Sequence, residues 1–391
     1  MFSGYENKTV FITGATGFIG GRLSEVLATE CKAHVKALVR DFSTAIRIGR
    51  LPIEIWQGDV TKIEEIRRAI KGSHFVFHCA YGNTGDAEDR WTTTVLGTEN
   101  VLKAALEERI QSFVFLSTQS VYGNQKAEWI DEETPKNPKG DYYAQSKLQA
   151  ERIVQRYHEF GLKTIIIQPT AVYGPWAMSY GKRVFDSLHE GVMPLIDGGL
   201  GICNAVYIDD LIDAILLSAI NEKAYGHCFL INGMEYCTWK DFYAYFEKII
   251  GKERTKSINK KYALRLYKKS IKRPSIVRLF RVDPDIVYEF LKMKWFFIIF
   301  QSIRKVIPNK LFLNMKNKMV LGVRVNEKRE DQNRLFAPWI ILDPNSIDFL
   351  TSKTKISIDK AMKIINYKPQ FSLDAGFAKT ELWYRWFYGN R

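Results

Sequence analysis

Cysteine is scarce and unpaired in this chain. Cys31, Cys79, Cys203, Cys228 and Cys237 are an odd number and form no C-x-x-C pair. That argues against a disulfide framework or a zinc site and fits a reducing compartment. Long apolar runs are missing too. The longest obvious one, Trp295 to Phe300, falls far short of the roughly 20 residues that a membrane-spanning helix needs. No basic segment leads into a long apolar one before Val10, so no signal peptide is expected and the cytoplasm is the expected compartment. The histidines (His34, His74, His78, His158, His189, His227) show no metal-ligand spacing with acidic neighbours, so no metal is expected and all six read as structural. Internal repeats and low-complexity linkers are absent as well.

What is present fits an enzyme body with one unusual stretch. Hydrophobic residues make up 46% of the 391, enough for a sizeable core. Residues 251–330 hold 22 Lys or Arg against 6 Asp or Glu, a net of +16, while everything else nets −2. The overall +14 therefore comes from one segment, and the remainder is near neutral. Its cations alternate with aromatic and aliphatic residues, as in Lys292-Met-Lys-Trp-Phe-Phe-Ile-Ile-Phe300. An amphipathic basic segment of this kind suits an anionic membrane surface, which would make the protein peripheral there. The plainer reading is a core of aromatics under a solvated lysine face. No nucleic-acid motif accompanies the charge, so no nucleic-acid partner is expected.

The first half alternates strand and helix, the pattern of a parallel sheet. Strands are expected at Thr9–Thr13, His34–Val39, Ile53–Gln57, His74–Cys79, Ser112–Leu116 and Thr164–Gln168. Helices are expected at Gly20–Glu30, Ile63–Lys71, Asp89–Arg109 and Asp141–Phe160. Later strand-like runs, Ala205–Ile208 and Cys228–Ile231, are expected to return to the main sheet or its rim, with helices at Asp209–Ile220 and Trp239–Ile250 following them. The fold class is α/β, a Rossmann-type doubly wound parallel sheet with a smaller C-terminal substrate-binding region. Residues 1–175 would form the cofactor-binding domain, rejoined by 205–232. Residues 176–204 and 233–391 would bind substrate.

The strongest local signal is Thr9-Val-Phe-Ile-Thr-Gly14-Ala-Thr-Gly17-Phe-Ile-Gly20. Gly14 can make the tight turn out of the strand, Gly17 lets the backbone approach a pyrophosphate, and Gly20 allows close helix–strand packing. Thr16, Phe18 and Ile19 share the turn, and the helix N-terminus offers free N–H groups to an anion. Its position at the first strand–helix junction speaks against a ligand-free glycine turn. The second strand ends in Arg40, whose planar fork suits a ribose 2′-phosphate, and this favours NADP(H). Asp41 follows directly and leaves NAD(H) open.

Tyr143 and Lys147 sit at a Tyr-x-x-x-Lys spacing, which places both on one helix face. A tyrosine pKa near ~10 is too high for easy proton exchange at neutrality, and an adjacent ammonium lowers it. The same spacing recurs at Tyr122/Lys126, Tyr236/Lys240 and Tyr288/Lys292, so spacing alone decides nothing. Only Tyr143/Lys147 falls in an expected long helix after the fifth strand.

Taken in order, T-G-A-T-G-F-I-G at 13–20, G-D-V at 58–60, F-H-C-A at 77–80, V-x-G-T-x-N at 95–100, S-T-x-x-V-Y-G at 117–123, Y-A-Q-S-K at 143–147, P-T-A-V-Y-G-P at 169–175 and V-Y-I-D-D at 206–210 resemble an extended short-chain dehydrogenase/reductase of the epimerase/dehydratase superfamily. The resemblance covers most of the chain outside 251–330. It implies that Thr118 hydrogen-bonds the reacting oxygen, that Tyr143 moves the proton, and that Lys147 binds the nicotinamide ribose and lowers the tyrosine pKa. It further implies that Asp59 and Val60 contact the adenine, Ala80 lines the cofactor cleft, and Pro169 and Thr170 flank the nicotinamide. A homodimer through the helix bearing Tyr143 is implied by analogy.

Two positions depart from the family's pattern: Thr94 and Gln168 stand where asparagine and arginine are frequent. The Asp-Glu pair that dehydratases carry after the catalytic Ser or Thr is replaced by Gln119 and Ser120, which argues against dehydration. No arginine precedes Val206 to grip a nucleotide diphosphate, whereas Asn204 and the tail from Thr354 through Pro369 resemble the 3β-hydroxysteroid dehydrogenase-like branch. The expected activity is hydroxyl–keto interconversion on an apolar or lipid-like small molecule. A sugar-nucleotide epimerase with tightly bound NAD and a non-catalytic binding protein of the same fold are the alternatives.

Overall fold

Val10, Phe11, Ile12, Phe113, Phe115, Ile165 and Ile167 follow one another along strands with no alternation of exposure, all of them 0% exposed. Strands apolar on both faces need helices over both faces, and that requires parallel pairing with crossovers. The computed structural model, which describes residues 2–271 and 342–389, has this arrangement. Its strands are β1 (Thr9–Thr13), β2 (His34–Val39), β3 (Ile53–Gln57), β4 (Phe75–His78), β5 (Ser112–Leu116), β6 (Trp129–Ile130) and β7 (Thr164–Pro169). There follow β8 (Ala171–Tyr173), β9 (Met193–Ile196), β10 (Ile202–Tyr207), β11 (Cys228–Ile231), β12 (Tyr236–Thr238), β13 (Thr255–Ile258) and β14 (Lys355–Ile356). The helices are α1 (Phe18–Thr29), α2 (Ile63–Ile70), α3 (Ala87–Glu107), α4 (Tyr142–Glu159), α5 (Lys182–Glu190), α6 (Ile208–Ala219), α7 (Trp239–Ile250) and α8 (Lys260–Ile271). Three more close the chain: α9 (Pro344–Thr351), α10 (Asp359–Ile365) and α11 (Leu373–Tyr388).

The main sheet has seven parallel strands in the order β3-β2-β1-β4-β5-β7-β11. Strand order reverses between β1 and β4, and a crevice opens beyond the carboxyl ends of two such strands. Apolar faces of α2, α3 and α4 cover one side, where Ile66, Val101, Leu102 and Val154 pack with Phe11, Val76 and Phe113. On α6, Ala219 accepts from the Ser112 hydroxyl of β5 at 2.8 Å, and Asp209 takes Arg22 of α1 at 2.6 Å. Side-chain caps fix where the functional helices start: Asp86 and Asp89 form a capping box on α3, and Asp141 accepts from Ala144 N on α4.

The Rossmann-type architecture is the expected one, with one difference in detail. β11 joins the main sheet beside β7, but β10 pairs with β8 and β12 in a separate three-stranded sheet. Pro169 ends β7, and proline has no N–H to continue a ladder. Past it the chain leaves the main sheet as β8, and β10 follows β8.

Two compact units emerge. Of the described residues, 2–186, 199–253 and 348–389 form the first, and 187–198 with 254–271 and 342–347 the second. Within the second unit β9 and β13 pair in parallel, and Asp197 accepts from Lys260 N at the start of α8. Most of the basic 251–330 stretch, from 272 on, lies outside the described residues, and with it the expected membrane surface. Among the described residues no helix is long and apolar enough to cross a membrane.

Candidate active site

The turn after β1 is built from backbone. Gly14 has φ of +72°, and a Cβ there would sit 2.7 Å from the Ala80 nitrogen, so glycine is required both by conformation and by the closeness of the β4 end. A Cβ on Gly20 would overlap the Gly14 carbonyl. Gly17 is the N-cap of α1, its N–H donates to Gly14 O at 3.0 Å, and a side chain there would meet nothing but that carbonyl oxygen. No side chain caps α1 and no acid lies in its first turn. Thr16, Phe18 and Ile19 are half-buried around the exposed Gly17. An open helix N-terminus free of negative charge fits a diphosphate.

Around this turn the other expected cofactor residues fall as follows. Arg40 is exposed at the end of β2, its Nη1 donating to Thr84 Oγ1 at 3.4 Å in the loop after β4. Asp41 is turned to the backbone, accepting from Ser43 N at 2.8 Å; that bond and the Ser43 hydroxyl hold its carboxyl below the usual range. Asp59 Oδ1 accepts from the Thr61 N–H and hydroxyl, both at 2.8 Å, and Val60 is buried under α3 beside Gly97. Ala80 N–H points to Thr13 Oγ1 at 3.4 Å. Pro169 and Thr170 lie on the β11 side, where Thr170 donates to Asn232 at 2.9 Å.

Thr118, Tyr143 and Lys147 come together at the carboxyl end of β5. Thr118 caps the turn 119–122, its Oγ1 accepting from Ser120 N at 3.2 Å and lying 3.3 Å from the Ser120 hydroxyl. Tyr143 is the second residue of α4, at the end of the helix that favours negative charge. Its surface is 39% exposed, yet desolvation around the hydroxyl pushes the phenol above the ordinary tyrosine value; Tyr81 adds to this and Thr118 opposes it. Lys147 is 2% exposed. Its ammonium donates to Leu116 O at 2.7 Å and lies 4.7 Å from the Phe115 ring centre. Burial lowers it to about 8, partly offset by Cys79 and Glu151. In this geometry the lysine is held by the Leu116 carbonyl.

Three more residues join the site: Tyr81 and Glu151 lie outside the quoted motifs, and His78 lies inside F-H-C-A. Tyr81 packs edge-on against Tyr143 with ring centres 5.5 Å apart and sits 5.6 Å from the Lys147 ammonium, so it joins the Ala80 side to the catalytic side. His78 is buried between the Thr13 and Thr98 hydroxyls at 2.6 and 3.0 Å; burial, then Lys147, drives it down to about 3. Glu151, one turn beyond Lys147, accepts from Ser117, Gln168 and Lys136. The spacing of Glu151 to Lys147 carries no mark in the sequence; its burial and its partners come from the fold.

At the two departures from the family pattern, Thr94 accepts from Gly82 N at 3.0 Å, and Gln168 accepts from the Tyr122 hydroxyl at 2.8 Å. Asn204 and the tail prove to be one feature: the Asn204 amide donates to Thr354 O at 2.9 Å and accepts from Ile356 N at 3.2 Å. That amide is engaged with the chain itself.

Comparison with known proteins places this geometry. Among curated relatives, a 4-hydroxy-2-methyl-3-oxo-4-farnesyl-3,4-dihydroquinoline-1-oxide ketoreductase from Stigmatella aurantiaca is 28% identical over 228 residues, covering 57% of this chain and 68% of the relative. A 3 beta-hydroxysteroid dehydrogenase/Delta 5-->4-isomerase from Mycobacterium tuberculosis is 28% identical over 251 residues, covering 59% and 66%. The match to the latter thus falls just short of two thirds of its length. Among solved structures, UDP-glucuronic acid 4-epimerase from Bacillus cereus in complex with NAD superposes with a TM-score of 0.66 at 18% identity, covering 98% of both chains, and shares the fold. The profile of the NAD dependent epimerase/dehydratase family matches residues 10–231, more than half of the sequence. The chain belongs to that family, the extended short-chain dehydrogenases/reductases.

Proposed function

We propose that the protein is an NADP(H)-dependent oxidoreductase that interconverts a hydroxyl and a keto group on an apolar, lipid-like substrate. The observation that carries this reading is the buried Lys147 cation held at the end of β5 next to Thr118, with Tyr81 in contact with both Lys147 and Tyr143, at the sheet end that bears the glycine turn. Substrate class is supported by relatives whose names specify a farnesylated quinoline oxide and a steroid. Gly14, Thr16, Gly17, Phe18 and Ile19 would hold the diphosphate, and Arg40 the 2′-phosphate. Asp59 and Val60 would flank the adenine, with Ala80, Pro169 and Thr170 along the remainder. The nicotinamide, when bound, supplies or accepts the hydride.

This chain's own residues manage the proton. In reduction the Thr118 hydroxyl donates a hydrogen bond to the substrate oxygen and orients it. Tyr143 delivers its phenolic proton to the same oxygen. The phenolate left behind is stabilised by the N-terminal end of α4 and by the Lys147 charge. Tyr81 covers one edge of the tyrosine ring and limits water there.

Purified protein titrated with NADPH and NADH by fluorescence, wild type against Arg40→Ala, tests the cofactor assignment. NADPH should bind about tenfold or more tighter than NADH, and the variant should lose that preference. Apolar ketones, including 3-ketosteroids, should then oxidise NADPH. Binding of neither cofactor would sink the proposal, and tightly held NAD without net redox turnover would replace it with epimerisation.

A further inference from the structure

Glu151 is 1% exposed, and three donors converge on its carboxylate. The Ser117 hydroxyl and Gln168 Nε2, the latter at 2.7 Å, share Oε1, while the Lys136 ammonium reaches Oε2 at 2.6 Å. A buried carboxylate must be paired with a cation or become neutral. Gln168, on β7, is neutral and supplies no charge. Its amide is used at both ends, donating to Glu151 and accepting from Tyr122. The cation comes from Lys136 in the loop before α4, with its side chain 19% exposed and its ammonium 5.7 Å from the Tyr122 ring centre.

This network grips the segment that carries Thr118. Lys147 and Glu151 are one turn apart on α4 and hold consecutive residues: Lys147 takes the Leu116 carbonyl and Glu151 the Ser117 hydroxyl. Thr118 is the next residue. The end of β5 is thus fixed to α4 by two bonds, and the second depends on a charged Glu151.

We propose that Lys136 is a positioning residue: a loop cation whose ion pair fixes the buried Glu151 carboxylate and so holds Ser117 and Thr118 in register with Tyr143. The catalytic half of this statement rests on the function proposed above; the ion pair does not.

Four variants of the full chain test it: Lys136→Met, Lys136→Arg, Lys136→Met/Gln168→Arg and Lys136→Met/Glu151→Gln. The first readout is the thermal midpoint against pH without cofactor. Stripped of its cation, Glu151 would be an unpaired buried carboxylate, a state that is costly when charged and relieved when protonated. The Lys136→Met deficit against wild type is therefore expected to be large near pH ~8 and to shrink towards pH ~5. Glu132, Tyr122 and Cys228 also face the pair and feel the Lys136 charge, so they enter the difference; the Lys136→Met/Glu151→Gln variant separates the part that belongs to Glu151.

Adding Gln168→Arg should flatten the deficit, as should neutralising Glu151, which serves if the arginine does not fit. The second readout is steady-state kinetics with NADPH and the ketone identified above. Lys136→Met should lower kcat by about ten- to a hundredfold with KM and NADPH affinity within about twofold, and Lys136→Arg should recover most of it. A Lys136→Met protein with the wild-type midpoint at both pH values overturns the ion pair. So does a deficit that ignores pH and both second substitutions. A lost ion pair with full kcat overturns the positioning role alone. If wild type binds no cofactor, the proposed function fails while the midpoint result still decides the pair.

Discussion

The glycine turn and the catalytic corner occupy the same edge of the sheet but are built in opposite ways. The turn uses backbone from one stretch, Gly14 to Gly20, and its geometry is enforced by contacts a Cβ would violate. The corner uses side chains from separate segments. Thr118 follows β5, Tyr143 and Lys147 come from α4, and Tyr81 follows β4. Glu151, Gln168 and Lys136 support them from behind. A backbone site fails when something is added to it, whereas a side-chain site fails when a charge or a donor is removed. The two regions should therefore respond to different substitutions and to different solution conditions.

The largest effect that would sharpen this contrast comes from Tyr143→Phe. Phenylalanine keeps the ring against Tyr81 and loses only the hydroxyl. Turnover should drop by about 10²- to 10⁴-fold, while NADPH titration changes by less than about twofold. A variant with turnover near wild type would remove Tyr143 from the chemistry. Next in size is Gly20→Ala. Its methyl group would collide with the Gly14 carbonyl, and neither partner is a flexible side chain. Overpacking of this kind costs about 1–3 kcal/mol. Denaturant unfolding should show that loss, and cofactor affinity should fall with it. An alanine here that left affinity intact would break the comparison, because the turn would then tolerate addition.

Legibility followed the same division. β2, β3, β5 and β11 fold at the residues the sequence indicates, and α7 spans Trp239–Ile250 as expected. These are local signals: short runs of aliphatic and aromatic residues, and caps such as Thr238 with Asp241. Asp141 begins the expected α4 and turns out to be its cap. The glycine turn is legible because chemistry and sequence are contiguous there. What the sequence hid was long-range. Nothing local says that β10 pairs with β8 and β12 and not with the main sheet. Nothing near Asn204 says that its amide is used by Thr354 and Ile356, some 150 residues on. Gln168 read as a departure, and only the fold shows that Lys136 supplies the missing positive charge to Glu151.

The smallest effect concerns Lys147 and pH. Burial lowers its folded pKa to about 8, against about 10.4 in an unfolded chain. Between those values the unfolded chain binds more protons than the folded one at this site, so stability contributed by this group rises with pH across that window. Near neutrality the ammonium stays charged in spite of burial, held by the Leu116 carbonyl and the face of Phe115. Buried tyrosines and cysteines also titrate at alkaline pH: Cys79 is pushed up to about 12 by burial, and such groups oppose the trend. The useful quantity is therefore a difference between two proteins. Subtracting Lys147→Met from wild type should leave a slope of about 1 kcal/mol per pH unit between about pH 8.5 and 9.5. Gly20→Ala introduces no titratable group and should leave no such slope when subtracted from wild type. Urea unfolding at several pH values measures both. A flat difference for Lys147→Met would mean that the ammonium is as well solvated in the folded chain as in the unfolded one, and the contrast between a charge-dependent corner and a charge-independent turn would fail at its central residue.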